Sequence, residues 1–266
     1  MKKIAILFCC LIMLMGAKAQ ENNSKFEASV RAGLIGSGLT IPKATFQNES
    51  EFGYNATQSM KPGALAGLVF DFQLVNQCYL QTGILYSWQR FGQVQNARYT
   101  DSLNTDYSIA SQNLITMHRV KVPLMVNYRF STESNHFVVG AGVYLDCAAG
   151  GNLTYDASAV LTPEGLAQQS YMMNGSFDPY KNDVKKIYYH EASDNYISSY
   201  KISDGNILNR VDFGASLELG YQISKFYVGV HADLGLLNSM NQNFTQHTYI
   251  QRNLNIQLML GYKINE

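Results

Sequence analysis

Beyond its N-terminal stretch, this 266-residue chain has no apolar run that reaches the roughly 18 residues a membrane helix needs. It also lacks an excess of either charge: 20 Lys and Arg offset 20 Asp and Glu, so no global field draws nucleic acid or an acidic partner. Cysteine is scarce. Of the four, Cys9 and Cys10 lie in the N-terminal apolar stretch, while Cys78 and Cys147 make at most one bridge at a spacing that matches no zinc motif. These two read as small apolar residues on strands. A disulfide scaffold, a zinc module and a helical membrane protein are thereby set aside.

Lys2 and Lys3, an apolar segment from Ile4 to Met15, and Ala17-Lys18-Ala19 before Gln20 have the anatomy of an export signal. Residues 1–19 are therefore expected to be removed, leaving 20–266 as one domain exported through the Sec pathway. A lipidated cysteine would close the apolar segment behind a small residue. Cys9 and Cys10 instead lie inside it after Phe8, so no lipid anchor is expected.

What the rest of the chain has in abundance is alternation. In HRVKVPLMVNYRF, residues 118–130, the cations Arg119, Lys121 and Arg129 interleave with Val120, Val122, Leu124, Val126, Tyr128 and Phe130. Successive side chains of an extended strand point to opposite faces, so this stretch presents one oily face and one charged face. Seven further segments behave alike: 25–34, 64–74, 78–88, 136–147, 210–223, 225–237 and 253–264. Their connections alternate strictly between short (75–77, 131–135, 224) and long (35–63, 89–117, 148–209, 238–252). An even number of strands with both termini on the short-turn side is the layout of an all-β, eight-stranded antiparallel up-and-down transmembrane β-barrel, with short periplasmic turns and long extracellular loops. A hidden hairpin in 148–209, suggested by the alternation of TYDASAV and VKKIYYH, would raise the count to ten.

Aromatic placement supports the same layout. Phe26, Phe72, Tyr128, Phe130, Phe137, Tyr221, Phe226 and Tyr262 belong to the oily set and lie at strand ends that face a short turn or a terminus, as one interfacial girdle would. Tyr86 and Trp88 begin a second belt at the far end of the third strand. A β-sandwich or lipocalin-like barrel would also alternate, but would have no reason to gather aromatics in a belt. The oily faces are therefore expected to meet lipid, which requires a closed sheet. The inward face then carries Arg31, Arg119, Lys121, Arg129, Arg210 and Lys263 beside Glu27, Asp71, Asp146, Asp212, Glu218 and Asp233, a charge network that neutralises itself. Pro123 removes a ladder donor, so a bulge or bend is expected there.

The stretches VKVPLMVNYRF, FVVGAGVYLDCAAGG, VDFGASLELGYQI with FYVGVHADLGLLN, and LNIQLMLGYKI resemble the PorT-like outer-membrane β-barrel family of Bacteroidetes over about residues 25–265. Chains of this kind often end on an aromatic read by the barrel-assembly machinery, whereas here Tyr262 is followed by Ile264, Asn265 and Glu266. The resemblance implies an outer-membrane location and, for one named branch, an accessory part in type IX protein secretion.

Chemistry is thin. His231 lies two residues from Asp233 on the inward face, near Glu218, which fits the charge network better than catalysis, because ion networks perturb titration as sites do. His118, His190 and His247 are expected outside the membrane, and none stands at a metal or catalytic spacing; His190-Glu191 lacks a second histidine. No catalytic, cofactor-binding or metal residues are assigned, and no enzyme is expected. Eight strands enclose a lumen that side chains fill, so an open channel is not expected, with a small narrow pore as an alternative. The expected role is structural or surface interaction, with lipid around the barrel and an extracellular protein or glycan ligand reached through loops 35–63, 89–117 and 148–209. The many Tyr, Asn, Ser and Asp residues of the last loop suit recognition and suit solvation equally.

Overall fold

The computed structural model describes residues 26–40, 53–100, 106–131, 134–162, 167–181, 187–191, 197–200, 208–239 and 251–264; the expected export signal and its boundary at 19/20 lie outside them. The described strands are β1 (Phe26–Leu39), β2 (Gly53–Val75), β3 (Cys78–Thr100), β4 (Asp106–Arg129), β5 (Asn135–Thr162), β6 (Gln169–Phe177), β7 (Ile187–Glu191), β8 (Ile197–Tyr200), β9 (Val211–Ile223), β10 (Phe226–Gly235) and β11 (Asn253–Lys263). Every neighbouring pair is antiparallel. The ring runs β1-β2-β3-β4-β5-β9-β10-β11 and closes where β11 pairs with β1, from Leu39↔Asn253 to Ser29↔Lys263. Eight strands thus close on themselves, and no edge is left at ring level.

The short turns are as tight as the sequence predicts. Asn76 and Gln77 join β2 to β3, with Asn76 at φ 42°, a left-handed position that asparagine tolerates. Ser224 and Lys225 join β9 to β10, with Ser224 at φ 53°.

Three of the expected long loops are largely strand. β3 and β4 stay in register from Gln89↔Met117 to Thr100↔Asp106, β2 pairs with β3 from Gly53, and β5 runs on to Thr162. TYDASAV is the upper part of β5 and pairs with β6, while the IYYH end of VKKIYYH lies in β7, which pairs with β6 and β8. This hairpin does not enlarge the ring. The edge of β5 at ring level, Asn135 to Cys147, is already taken by β9, so β6 can only pair above it. One side of the barrel is therefore a tall wall (β2–β5), while β1, β9, β10 and β11 stop low.

Along the lower barrel, Leu34, Ile84, Leu217, Leu219 and Leu260 stand exposed on the outside, and Arg31, Arg119, Lys121, Glu218 and Asp233 are buried inside. In the tall wall this polarity reverses. Leu39, Phe91, Ile115, Met117 and Leu153 point inward and bury together with Ala148, Tyr180 and Leu208, while Gln112, Thr154 and Asp156 are exposed. Two bulges mark the changeover. Pro62 and Gly63 in β2 stand opposite Gln89, and Ala149 in β5 is the extra residue opposite the His118–Arg119 step.

The bulge expected at Pro123 is absent. Pro123 stays in register with Tyr144 on β5; on the β3 side the ladder lapses over Val122 and Pro123 and resumes unshifted. The proline carbonyl accepts a hydrogen bond from the Thr82 hydroxyl at 2.9 Å, so a side chain bridges the gap and no residue need be extruded.

Glycines let the strands close. A Cβ at Gly142 would meet the Leu124 carbonyl oxygen at 2.2 Å and the Met125 Cα at 2.5 Å, whereas one at Gly150, on the same strand, would meet nothing within 4 Å. Gly142→Val is therefore expected to abolish the heat-modifiable folded band on electrophoresis, and Gly150→Val to leave it at the parental level.

Candidate functional site

The interior is a stack of charge layers assembled from residues distant in sequence. At the short-turn end, Arg129 pairs with Glu27 (2.8 Å) and Asp71 (3.4 Å) and lies 3.6 Å above the Tyr79 ring; Lys263 reaches Glu27 at 3.0 Å. Gln81 donates to Asp71 at 3.2 Å. Above this layer Glu218 collects three donors, Arg31 at 3.0 Å, the Tyr227 hydroxyl at 2.6 Å and Asn127 at 3.4 Å, and lies 3.4 Å from His231 Nε2. Next, Lys121 reaches Asp233 at 2.8 Å and the Gln257 carbonyl oxygen at 3.2 Å, with Ser216 and the Gln257 amide donating to Asp233. Uppermost, Arg119 holds Asp146 at 2.8 Å and touches the Tyr180 hydroxyl at 3.4 Å, while Tyr144 and Asn253 donate to Asp212 at 2.9 and 2.7 Å.

Arg210 is a correction. It stands one residue ahead of β9, exposed, with its guanidinium donating to the Tyr180 carbonyl at 3.2 Å and lying 5.8 Å from that ring. Extending the β9 alternation backward put it in the lumen, but alternation holds only where the backbone is a strand. Asp212 is met instead by the neutral Tyr144 and Asn253, which the list of inward charges did not include.

His231 has no room for a substrate. Its Nε2 lies 3.4 Å from Glu218 and 3.1 Å from the Tyr227 hydroxyl, the ring is buried, and the cavity below it, which His231 does not line, measures about 20 Å³, the space of one water. Among the described residues no three or more His, Cys, Asp or Glu side chains gather as metal ligands would. His118, expected outside the membrane, sits on the outer wall in β4, its Nδ1 at 2.6 Å from the Tyr86 hydroxyl. The side chain of His190 and all of His247 lie outside the described residues.

Six of the girdle aromatics pair across neighbouring strands at the short-turn end, and the other two, Tyr128 and Phe130, meet at the end of β4. Phe26 faces Phe72 (ring centroids 5.1 Å), Phe137 faces Tyr221 (4.6 Å), Phe226 faces Tyr262 (5.3 Å), and Tyr128 meets Phe130 edge-on at 5.2 Å. Trp88 and Tyr86 stand exposed at the opposite end of the oily wall.

Removing one partner from a buried pair costs more than the pair contributes, because the survivor keeps a desolvated charge. Glu218→Leu is expected to lower stability by about 3–5 kcal/mol, and Arg31→Met/Glu218→Leu by less than that single change. Urea unfolding in lipid vesicles, followed by the emission of Trp88, measures both; strictly additive losses would mean the two side chains do not interact.

Similar solved structures include Ail, the attachment invasion locus protein of Yersinia pestis (10% identity, TM-score 0.29, covering 90% of this chain and 99% of Ail), and OprG from Pseudomonas aeruginosa (13% identity, TM-score 0.38, covering 90% and 96%). Neisserial surface protein A is a third (9% identity, TM-score 0.33, covering 91% and 99%). No curated protein matches the chain. A profile for the outer membrane protein beta-barrel domain matches residues 18–241, from ahead of β1 to beyond β10. The oily outer wall, the closed antiparallel ring and this match together place the protein in the outer membrane, and the chain belongs to the outer membrane protein beta-barrel domain family.

Proposed function

We propose that this protein is a sealed, non-enzymatic outer-membrane barrel whose working part is its extracellular wall, with a structural or surface-interaction role. The observation that carries this reading is the interior: stacked ion pairs fill the lumen, and an apolar cluster around Phe91, Met117 and Tyr180 roofs it. A water-filled passage would need those charges to part, and each is held by a partner in a low-dielectric space where separation is costly. What projects outward is sheet, namely the tops of β2–β5 with β6–β8 continuing from β5. A rigid sheet offers a protein or glycan partner a preorganised surface at lower entropic cost than loose loops would. In this reading the barrel-assembly machinery inserts the chain, the charge layers serve as an internal brace, and the eight girdle aromatics mark the periplasmic interface.

The PorT-like resemblance supports a second reading, an accessory of type IX secretion in a Bacteroidetes envelope. The two separate in a deletion strain compared with its parent by secretome and surface proteome. Loss of one surface-bound partner with normal secretion supports the first; cargo held in the periplasm supports the second and removes the first. A narrow pore is tested in planar bilayers, where the sealed barrel is expected to give no conductance steps.

The membrane reading also fixes where oil ends. Leu217→Arg, on the exposed outer face in the middle of β9, is expected to cost about 2–4 kcal/mol in vesicle unfolding. Thr154→Arg, outward on the upper part of β5, is expected to stay within about 0.5 kcal/mol of the parent. Equal losses would contradict the reversal of polarity between the two levels.

A further inference from the structure

Among the described residues, the outer face holds one place where two cations stand directly opposite each other on adjacent strands. Lys61 of β2 pairs in register with Arg90 of β3, and Thr116 of β4 stands across from Arg90 on its other side. Like charges in direct cross-strand positions repel. Among the described residues no ion pair joins either cation to a carboxylate. The cations are nonetheless held in place. The Arg90 guanidinium lies 5.1 Å from the centre of the Trp88 ring, and the Lys61 Cε lies 3.5 Å from where a Cβ on Gly92 would sit, so the bare glycine lets the lysine stem lie flat.

Their height on the barrel says what they await. Just below them are Trp88, 36% exposed, and the hydrogen-bonded pair Tyr86 and His118; below those the outer wall is purely apolar, as at Ile84. Above them the outside is more polar, with Ser59, Gln112 and Thr154 exposed beside Val94. Lys61 and Arg90 therefore sit where acyl chains give way to headgroups, on the extracellular side.

We propose that Lys61 and Arg90, with the Thr116 hydroxyl, bind the phosphate monoester of an outer-leaflet glycolipid whose acyl chains lie against the wall beneath Trp88 and Tyr86. A phosphate monoester carries close to two negative charges near neutral pH and so matches two unpaired cations. The forked donors of arginine suit its oxygens, and an ion at the edge of a low-dielectric phase is held more strongly than one in open water. The site stands independently of whatever the extracellular wall contacts.

The test uses the full folded chain in phosphatidylcholine nanodiscs, read by the emission of Trp88, its single tryptophan. Three probes are added separately: phosphorylated lipid A, the same lipid after phosphatase treatment, and inorganic phosphate. Phosphorylated lipid A is expected to shift the emission saturably, and the other two to leave it unchanged. Lys61→Gln/Arg90→Gln is expected to weaken the apparent affinity by about tenfold or more. Lys61→Glu, which keeps the arginine against Trp88, is expected to weaken it as well. An equal response to dephosphorylated lipid, an equal response to free phosphate, or unchanged affinity in both variants would each overturn the proposal.

Discussion

A sheet whose outside meets hydrocarbon has nowhere to leave a backbone N–H or C=O unpaired, and most of this structure follows from that requirement. It dictates closure, which β1 and β11 supply in a continuous register from Leu39↔Asn253 to Ser29↔Lys263. It also dictates how Pro123 is accommodated: the ladder lapses toward β3, but the Thr82 hydroxyl binds the proline carbonyl and keeps the register intact. Closure needs strands to approach closely, and positions such as Gly142 and Gly67 leave no space between neighbours for even one added carbon.

Closing eight strands leaves a lumen just wide enough for side chains. With the outside committed to lipid, the polar residues of each strand have only this interior, and a desolvated charge is tolerable only beside its opposite. The layered pairs are the consequence. Glu218 shows how fully the demand is met: a guanidinium, a phenol, an amide and an imidazole converge on one carboxylate from β1, β10 and β4. Because the partners come from different strands, the network also ties the ring together across its diameter.

The sequence made the ring legible and left the tall wall hidden, for one physical reason. An alternating pattern is visible only while one face is oily and the other is not. The readable segments stop at 64, 88, 118 and 147, and the two bulges fall beside those positions, at Pro62–Gly63 and at Ala149 opposite the His118–Arg119 step. Beyond them the outside meets water and carries polar residues, so β3 from Gln89 and β4 before Met117 resemble loop in composition although they remain paired. The inward charges were legible from parity alone, with Arg210 as the exception because it stands just outside its strand. Their individual partners were not, since Lys121 with Asp233 and Arg31 with Glu218 depend on register between strands far apart in sequence.

The bulges do more than mark the changeover. Inserting one residue into a strand exchanges its two faces. In β5, even-numbered residues point inward up to Ala148; beyond Ala149 the odd ones do, which brings Leu153 into the roof and sends Asn152 and Thr154 outside. Unbroken alternation would have reversed those three, exposing the leucine to water and burying the polar pair. In β2 the extra residue at Pro62–Gly63 brings Lys61 opposite Arg90, on the outer side. A single chain thus serves two solvents by shifting phase where one ends, with water-soluble β architecture above and membrane architecture below. The placement of Lys61 beside Arg90 at the upper margin of the oily wall, with no carboxylate on either among the described residues, is a product of that phase shift, at the level where acyl chains meet anionic headgroups.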